Sequence, residues 1–174
     1  MKILGIVGSL RKNSFNRSLM NAFLSQKPEA VTMEIADIST LPFYNEDSES
    51  SFPESAQTLK TQIENADVVI IATPEYNRSV PGVLKNAIDW ASRPYGKNSF
   101  SGKQVLVVGA SVGPIGTALA QYDLKKMLLH GNAKVFGQPE FFVGTAGSKF
   151  NEEGILTDVT TKEHIDATWQ VIIQ

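Results

Sequence analysis

The sequence contains no cysteine, and this absence removes several kinds of chemistry. Without a thiol the chain cannot form disulfides, use a cysteine nucleophile, or hold zinc or an iron–sulfur cluster through thiolates. The only histidines, His130 and His164, are far apart and have no cluster of acids beside them. A metal site or a histidine-based catalytic triad is therefore not indicated. We expect His130 to lie at a helix C-terminus, where the helix dipole favours it.

Neither sign of charge is in large excess, since the formal net charge is −2 at pH 7. This balance argues against a nucleic-acid-binding protein, which usually has a basic patch, and against a strongly acidic electron carrier. No apolar run approaches the roughly 18 residues of a membrane span. A first strand is predicted from residue 2 with no signal peptide before it, so we expect a cytoplasmic protein. With 174 residues, 42% of them hydrophobic, we expect one domain over 1–174.

Apolar segments of two kinds alternate along the chain. Continuous runs at Ile3–Val7, Val68–Ala72 and Gln104–Val108 predict strands buried on both faces, whereas the alternation over Val31–Ile38 predicts a strand near a sheet edge. Extended segments are also predicted at Ala133–Phe136 and Glu140–Val143. Helical spacing predicts helices over 16–25, 54–65, 83–92, 117–130 and 160–173. Strands that alternate with helices indicate an α/β fold with a mostly parallel sheet.

Three loops rich in Gly, Pro, Ser and Asn follow these strands, at Gly8–Asn16, Pro74–Gly82 and Gly109–Gly116. In an open parallel sheet, ligands bind outside the carboxyl ends of the strands, where the strand order reverses. We therefore expect the three loops to line one site.

The first loop has the composition of a phosphate-binding loop. Helix N-terminal N–H groups attract a phosphate, Arg11 adds planar donors, Ser9 and Ser14 add hydroxyls, and Asn16 can cap the helix and donate as well. The Lys-Ser/Thr pair of a P-loop and the three glycines of a dinucleotide fingerprint are both missing. A mononucleotide such as FMN in a flavodoxin-like sheet is thus the better candidate, and an ordinary loop that merely caps a helix is the alternative.

The other two loops are less specific. The backbone of Pro74-Glu75-Tyr76-Asn77 could meet the polar edge of a flavin ring, or the segment could be a simple proline-initiated turn. Arg78 could attract the phosphates of a pyridine nucleotide or be a solvated surface residue. The turn that contains Ser111 and Gly113 lets the backbone approach a ligand closely, or only reverses the chain.

Taken together, these loops resemble the NADPH-dependent FMN reductase family, in particular its quinone and chromate reductase branch. The most specific matches are Thr73-Pro74-Glu75-Tyr76-Asn77, followed by Leu84-Lys85-Asn86-Ala87-Ile88-Asp89-Trp90. Gly8-Ser9-Leu10-Arg11 with Ser14-Phe15-Asn16, Gln121-Tyr122 and Pro139-Glu140-Phe141 match as well. The resemblance covers nearly the whole chain and is weakest over 41–60 and beyond 145.

The resemblance implies a flavodoxin-like three-layer fold, with a five-stranded parallel sheet in the order 2-1-3-4-5. It implies an FMN site whose phosphate is held by Ser9, Arg11, Ser14 and Asn16, with Leu10 and Phe15 in the same loop. Pro74, Glu75, Tyr76 and Asn77 would line the ring on one side, and Ser111 and Gly113 on the other. The implied reaction is a ping-pong transfer from NADPH or NADH through FMN to a quinone, a flavin, an azo compound or a metal anion.

Family members are homodimers or homotetramers, and an arginine, a tyrosine and a glutamate form a network between subunits in the branch. Tyr122 and Glu140 match two of these residues, but Leu119 replaces the arginine. The main alternative is a flavodoxin-type FMN electron carrier without NAD(P)H activity, which the near-neutral charge disfavours. A receiver domain is disfavoured, because Ser9-Leu10 and Thr73-Pro74 occupy the positions at which that domain needs acidic residues. A further alternative is a flavin-free relative of the same fold, which would be colourless.

Overall fold

A computed structural model describes all 174 residues and contains one parallel sheet. Its strands are β1 (Lys2–Val7), β2 (Thr32–Ile35), β3 (Val68–Ala72), β4 (Gln104–Ala110), β5 (Lys134–Val135) and β6 (Phe141–Val143). The order is β2-β1-β3-β4-β5, and β6 also pairs with β4. The expected order 2-1-3-4-5 is confirmed. The strand order reverses between β1 and β3, which places the ligand-binding edge above these two strands.

The fifth strand of the expected sheet is divided in two. Lys134 and Val135 pair with the start of β4, and Phe141–Val143 pair with its end. The N–H of Phe136 still donates to the Val105 carbonyl at 3.0 Å, but residues 137–140 do not pair with β4. The fifth strand of the expected sheet is therefore present as two strands, β5 and β6, which lie within the two predicted extended segments. As predicted from its alternating pattern, β2 lies at the opposite edge, although it is shorter than the segment 31–38.

Five α-helices cover the two faces of the sheet. They are α1 (Phe15–Ser25), α2 (Glu54–Asn65), α3 (Gly82–Ala91), α4 (Ala118–His130) and α5 (Val159–Ile172). One apolar cluster joins α1 and α5 to one face, and a second joins α2, α3 and α4 to the other. The strand β3 supplies both clusters, because alternate side chains of a strand point to opposite faces. The result is the expected three-layer arrangement.

The long segment after β2 packs over α3. The carbonyl of Pro42 accepts hydrogen bonds from Asn86 Nδ2 at 2.9 Å and from Trp90 Nε1 at 2.8 Å. The rings of Tyr44 and Phe52 meet the Trp90 ring edge-to-face, at 5.1 and 5.0 Å between centroids. This segment therefore covers Trp90, which is fully buried, as is Trp169 on α5. No helix is both long enough and apolar enough to cross a membrane.

Candidate active site

The loops that follow β1, β3 and β4 meet in one open cleft at the carboxyl edge of the sheet. The cleft is lined by nine of the predicted site residues: Ser9, Arg11, Ser14, Phe15, Asn16, Pro74, Glu75, Tyr76 and Ser111. Ala110 and Val112 complete the lining. Leu10, Asn77, Arg78 and Gly113 belong to the same loops but do not line the cleft. The parallel topology brings together segments about 100 positions apart, because all three strands end at one edge.

The loop after β1 presents unpaired backbone donors. Helix α1 begins at Phe15, and the N–H groups of Phe15, Asn16 and Arg17 have no hydrogen-bond partner. The hydroxyls of Ser9 and Ser14 lie beside them in nearly buried side chains. The exposed guanidinium of Arg11 donates from Nη2 only to the carbonyl of Asn13, at 2.5 Å. A set of free N–H groups, hydroxyls and a cation at a helix N-terminus fits a phosphate monoester.

The side chain of Asn16 has a different role from the predicted helix cap. It lies inside α1, one position after the first helical residue, and Ser14 occupies the capping position without a side-chain hydrogen bond. The Asn16 amide donates to the carbonyl of Ala110 at 2.9 Å and accepts from the N–H of Ala110 at 2.9 Å. It therefore joins the first loop to the end of β4. The expectation that Asn16 caps the helix is wrong, because its amide is engaged by a backbone 94 positions away.

The loop after β3 contains a tight two-residue turn. The N–H of Tyr76 donates to the carbonyl of Ser79 at 3.1 Å, and the N–H of Ser79 returns a bond of 3.0 Å. Between them Asn77 and Arg78 have φ angles of 51° and 63°. Positive φ at both central residues is typical of a type I′ turn. Asn tolerates this region, whereas Arg78 there costs about 1 kcal/mol or more. The turn holds the half-exposed ring of Tyr76 at the cleft.

The carboxylate of Glu75 binds the start of α4. Its Oε2 accepts hydrogen bonds from the N–H groups of Leu119 and Ala120 at 3.1 and 3.2 Å. Its Oε1 lies 3.6 Å from Nη1 of Arg78, which is largely exposed. A carboxylate at a helix N-terminus satisfies free N–H groups and complements the helix dipole. Glu75 thus connects the loop after β3 to α4, a role that no sequence signal indicated.

The end of β4 and the loop after it require glycine for close packing, at Gly109 in the strand and at Gly116 in the loop. A Cβ on Gly109 would lie 1.9 Å from Thr117 Oγ1, and a Cβ on Gly116 would lie 2.7 Å from the Phe142 carbonyl carbon. Gly116 also has a φ of 63°. Ser111 Oγ donates to the carbonyl of Gly113 at 3.1 Å. These contacts close the loop on itself and leave Val112 exposed at the rim of the cleft.

Tyr122 and Glu140 contact each other within this chain. The Tyr122 hydroxyl donates to Glu140 Oε1 at 2.7 Å, and this bond is the main reason that the pKa of Tyr122 is raised. Lys125 Nζ lies 3.7 Å from the same carboxylate and 5.6 Å from the Tyr122 ring centroid. The cation beside this pair is therefore Lys125, one turn along α4, while Leu119 is a partly exposed apolar residue.

Comparisons with known proteins find similar sequences over most of the chain. The profile of the family described as NADPH-dependent FMN reductase matches residues 1–148. The chain is 43% identical to a 2-hydroxy-1,4-benzoquinone reductase of a Burkholderia species over 165 residues, which cover 95% of this chain and 90% of that one. It is 42% identical to an NAD(P)H-dependent FMN reductase of Pseudomonas aeruginosa, with 99% and 93% covered.

Solved structures show the same fold. The flavoenzyme NAD(P)H:(acceptor) oxidoreductase FerB of Paracoccus denitrificans superposes with a TM-score of 0.91 at 41% identity, covering 99% of this chain and 94% of that one. An FMN-dependent NADH-azoreductase of Bacillus anthracis, solved in complex with FMN, superposes with a TM-score of 0.66 at 12% identity over the full length of both chains. The second match supports the fold alone.

Proposed function

The chain belongs to the NADPH-dependent FMN reductase family, and from this premise we propose that it is an FMN-dependent NAD(P)H oxidoreductase. It would take a hydride from NADPH or NADH and deliver two electrons to a small acceptor. Its relatives of about 40% identity are named for quinones and for FMN. A quinone is therefore the first acceptor to test, before free flavins, azo compounds and oxidised metal anions.

The observation that carries the proposal is the group of free donors at the start of α1. Three unpaired N–H groups, the hydroxyls of Ser9 and Ser14, and Arg11 converge where an FMN phosphate would bind. The rest of the cleft runs from this point along the sheet edge. Pro74 to Tyr76 line it on one side and Ser111 lines it on the other. A flat ring joined to a phosphate has the shape and polarity that this arrangement suits.

The chain's own residues would bind, orient and expose the cofactor. Bound FMN supplies the hydride chemistry, in a ping-pong order in which the donor leaves before the acceptor binds. The loop Pro74–Asn77 would face the ring, held in place by Glu75 on α4 and by the turn at Asn77 and Arg78. Leu10, Phe15 and Gly113 would complete the cofactor contacts. No pair of acid–base side chains is needed, and Arg78 at the mouth could attract the donor's phosphates.

We further propose that one flavodoxin-like domain over 1–174 forms a cytoplasmic homodimer or homotetramer. The exposed apolar surface supports self-association, since Phe43 and Tyr95 beside α3 are 90% and 91% exposed. Tyr122 and Glu140 contact each other within one chain, with Lys125 beside them. Leu119 replaces the arginine of the network between subunits and supplies no positive charge. A tetramer built on an arginine network is therefore the weaker possibility.

The purified protein tests the proposal directly. It should bind FMN, and NADPH or NADH added without oxygen should bleach the flavin absorbance. A quinone should then restore the absorbance at a rate that accounts for turnover. Bound flavin that remains oxidised with both nucleotides would favour an electron carrier. A protein that binds no flavin would overturn the phosphate site itself.

A further inference from the structure

A second groove begins where the phosphate site ends. It has a volume of about 410 Å³, within the range of small-ligand sites. It runs between the start of α1 and the antiparallel pair formed by Phe150 and Leu156. Arg11, Ser14 and Phe15 line both this groove and the cleft described above, so the two are continuous. We call the region the α1 groove.

The α1 groove contains cations that have no carboxylate partner. Arg11, Lys12 and Arg17 line it, and none of them lies within 4.0 Å of a carboxylate, because they take part in none of the chain's eight ion pairs. Of these three cations, an FMN phosphate at the N-terminus of α1 would contact at most Arg11, which also lines the cleft. Lys12 and Arg17 remain available to a second anionic group.

The acids around the α1 groove are few and placed on its opposite wall. Glu152 and Glu153 line the side formed by residues 150–154. The pKa of Asp37, outside the groove, is lowered mainly by hydrogen bonds from Ser39 and to a smaller extent by the charge of Arg17. Arg17 therefore lies near one carboxylate without contacting it. The wall formed by α1 stays positive, and the glutamates on the other wall can accept from ribose hydroxyls.

The partly buried ring of Phe15 adds an apolar surface for a planar base, and the buried ring of Phe150 supports it from the core. Phe15 and Phe150 both line the groove, with ring centroids 5.8 Å apart and an interplanar angle of 36°. Asn151 beside them offers amide donors. Aromatic, amide and cationic groups in one groove suit an adenine nucleotide, whose base is planar and whose phosphates are anionic.

We propose that the α1 groove binds the adenosine half of NADPH, with Lys12 and Arg17 on its 2′-phosphate. This inference rests on the proposed function and names the donor that the site selects. NADH has a neutral hydroxyl in place of that phosphate and would gain nothing from the two cations. FMN ends at its own phosphate, so the groove lies beyond the space that this cofactor would occupy. The competing occupant is the adenylate of FAD, which the test below distinguishes.

The test compares Lys12→Gln, Arg17→Gln and the double variant with Lys162→Gln in the FMN-loaded protein. Lys162 is an exposed lysine on α5 that does not line the α1 groove, so its substitution removes one positive charge, as each single variant does. The kcat/KM values for NADPH and for NADH are measured with one quinone. Calorimetry then measures the binding of 2′,5′-ADP and of AMP, which lacks the 2′-phosphate.

In the double variant we expect the ratio of kcat/KM for NADPH to that for NADH to fall at least tenfold, through KM and not kcat. Binding of 2′,5′-ADP should weaken by a similar factor, while AMP binding and the Lys162→Gln protein should change less than threefold. Equal losses with both nucleotides, or no loss, would overturn the inference. A weaker FMN affinity in Arg17→Gln would also overturn the inference. The same holds if the apoprotein binds FAD more tightly than FMN and the double variant loses this preference. If neither nucleotide reduces the flavin, the proposed function fails instead.

Discussion

At the scale of single residues, Arg11 is the side chain with the clearest expected effect. Its guanidinium is exposed and donates only to its own loop, so a phosphate would gain a charge-assisted contact there. Arg11→Ala should remove about 1.5–3 kcal/mol of binding free energy, or at least tenfold in FMN affinity. Fluorescence titration of the apoprotein with FMN measures this change.

A matched control for Arg11 is available at the other edge of the sheet. Lys134 is exposed and pairs through its strand with the start of β4, away from the loops of the site. Lys134→Ala should leave FMN affinity unchanged. If Arg11→Ala also retains FMN as well as the wild type does, Arg11 does not belong to the phosphate site.

Glu75 shows a residue role that only the fold reveals. Its carboxylate accepts two backbone hydrogen bonds from α4, 44 and 45 positions away, and is almost buried. Glu75→Ala leaves both N–H groups of α4 without this acceptor and should lower the free energy of unfolding by about 1–3 kcal/mol. Glu75→Gln keeps one acceptor oxygen and should lose less than half of that amount. Urea denaturation of both variants measures the difference.

The control for Glu75 is Glu140→Gln, at a more exposed carboxylate that accepts from Tyr122. This change should alter the free energy of unfolding by less than about 0.5 kcal/mol. Equal losses in Glu75→Gln and Glu75→Ala would mean that the charge, and not the two hydrogen bonds, is what stabilises the junction with α4.

At the scale of elements, local pattern predicted most of the boundaries. The helix over 54–65 was expected and observed at the same residues, because its apolar spacing and flanking proline are local signals. The turn at Asn77 and Arg78 was not predicted, since Asn tolerates positive φ but Arg78 stands where glycine is the usual residue. The two extended segments over 133–136 and 140–143 were expected, but the pairing of both with the same strand was not, because pairing with β4 is decided by tertiary contacts.

The connection between α2 and α3 depends on one buried lysine. Lys60 Nζ donates to the carbonyls of Ala91 and Lys97, at 3.1 and 2.7 Å, and to Ser99 Oγ at 2.8 Å. Burial lowers the pKa of Lys60, so these three acceptors are what make the buried ammonium tolerable. Lys60→Met preserves the volume but removes all three hydrogen bonds and leaves the Lys97 carbonyl without a partner, so it should cost about 1–3 kcal/mol of stability.

Chemical denaturation of Lys60→Met and Lys97→Met separates the hydrogen bonds from the charge. The Lys97 side chain is exposed, and only its carbonyl serves the network, so Lys97→Met should change stability by less than about 0.5 kcal/mol. A Lys60→Met protein as stable as the wild type would show that apolar packing replaces the ammonium without loss, as happens with some buried ion pairs.

At the scale of the whole molecule, strand order explains why the site was partly predictable. Alternating strands and helices imply that the loops after β1, β3 and β4 share one edge, and nine of the predicted residues do line one cleft there. The side-chain partners within that cleft were not predictable, as Asn16 shows by pairing with Ala110. Periodicity reports which face of an element is buried, whereas such pairs depend on the relative placement of two loops.

The stability of the whole fold should depend on pH through His164. This residue stacks on Phe141 at 4.2 Å, and desolvation lowers its pKa below the ordinary value of 6.5. The folded state therefore binds a proton on His164 less readily than the unfolded chain does, and the unfolded chain is protonated first as the pH falls. Stability from this group is complete above about pH 6.5 and is lost as the pH falls from there through the lowered pKa.

His164→Phe should keep the stacking and remove the titration. Denaturation midpoints measured between pH 7.5 and about 5 should fall less for this variant than for the wild type. His130→Phe serves as the control, because His130 is exposed at the last position of α4. Since both variants lack one histidine, a flatter profile in His164→Phe alone would assign the acid sensitivity to the stacked residue. Identical profiles in all three proteins would mean that carboxylates, and not His164, account for it.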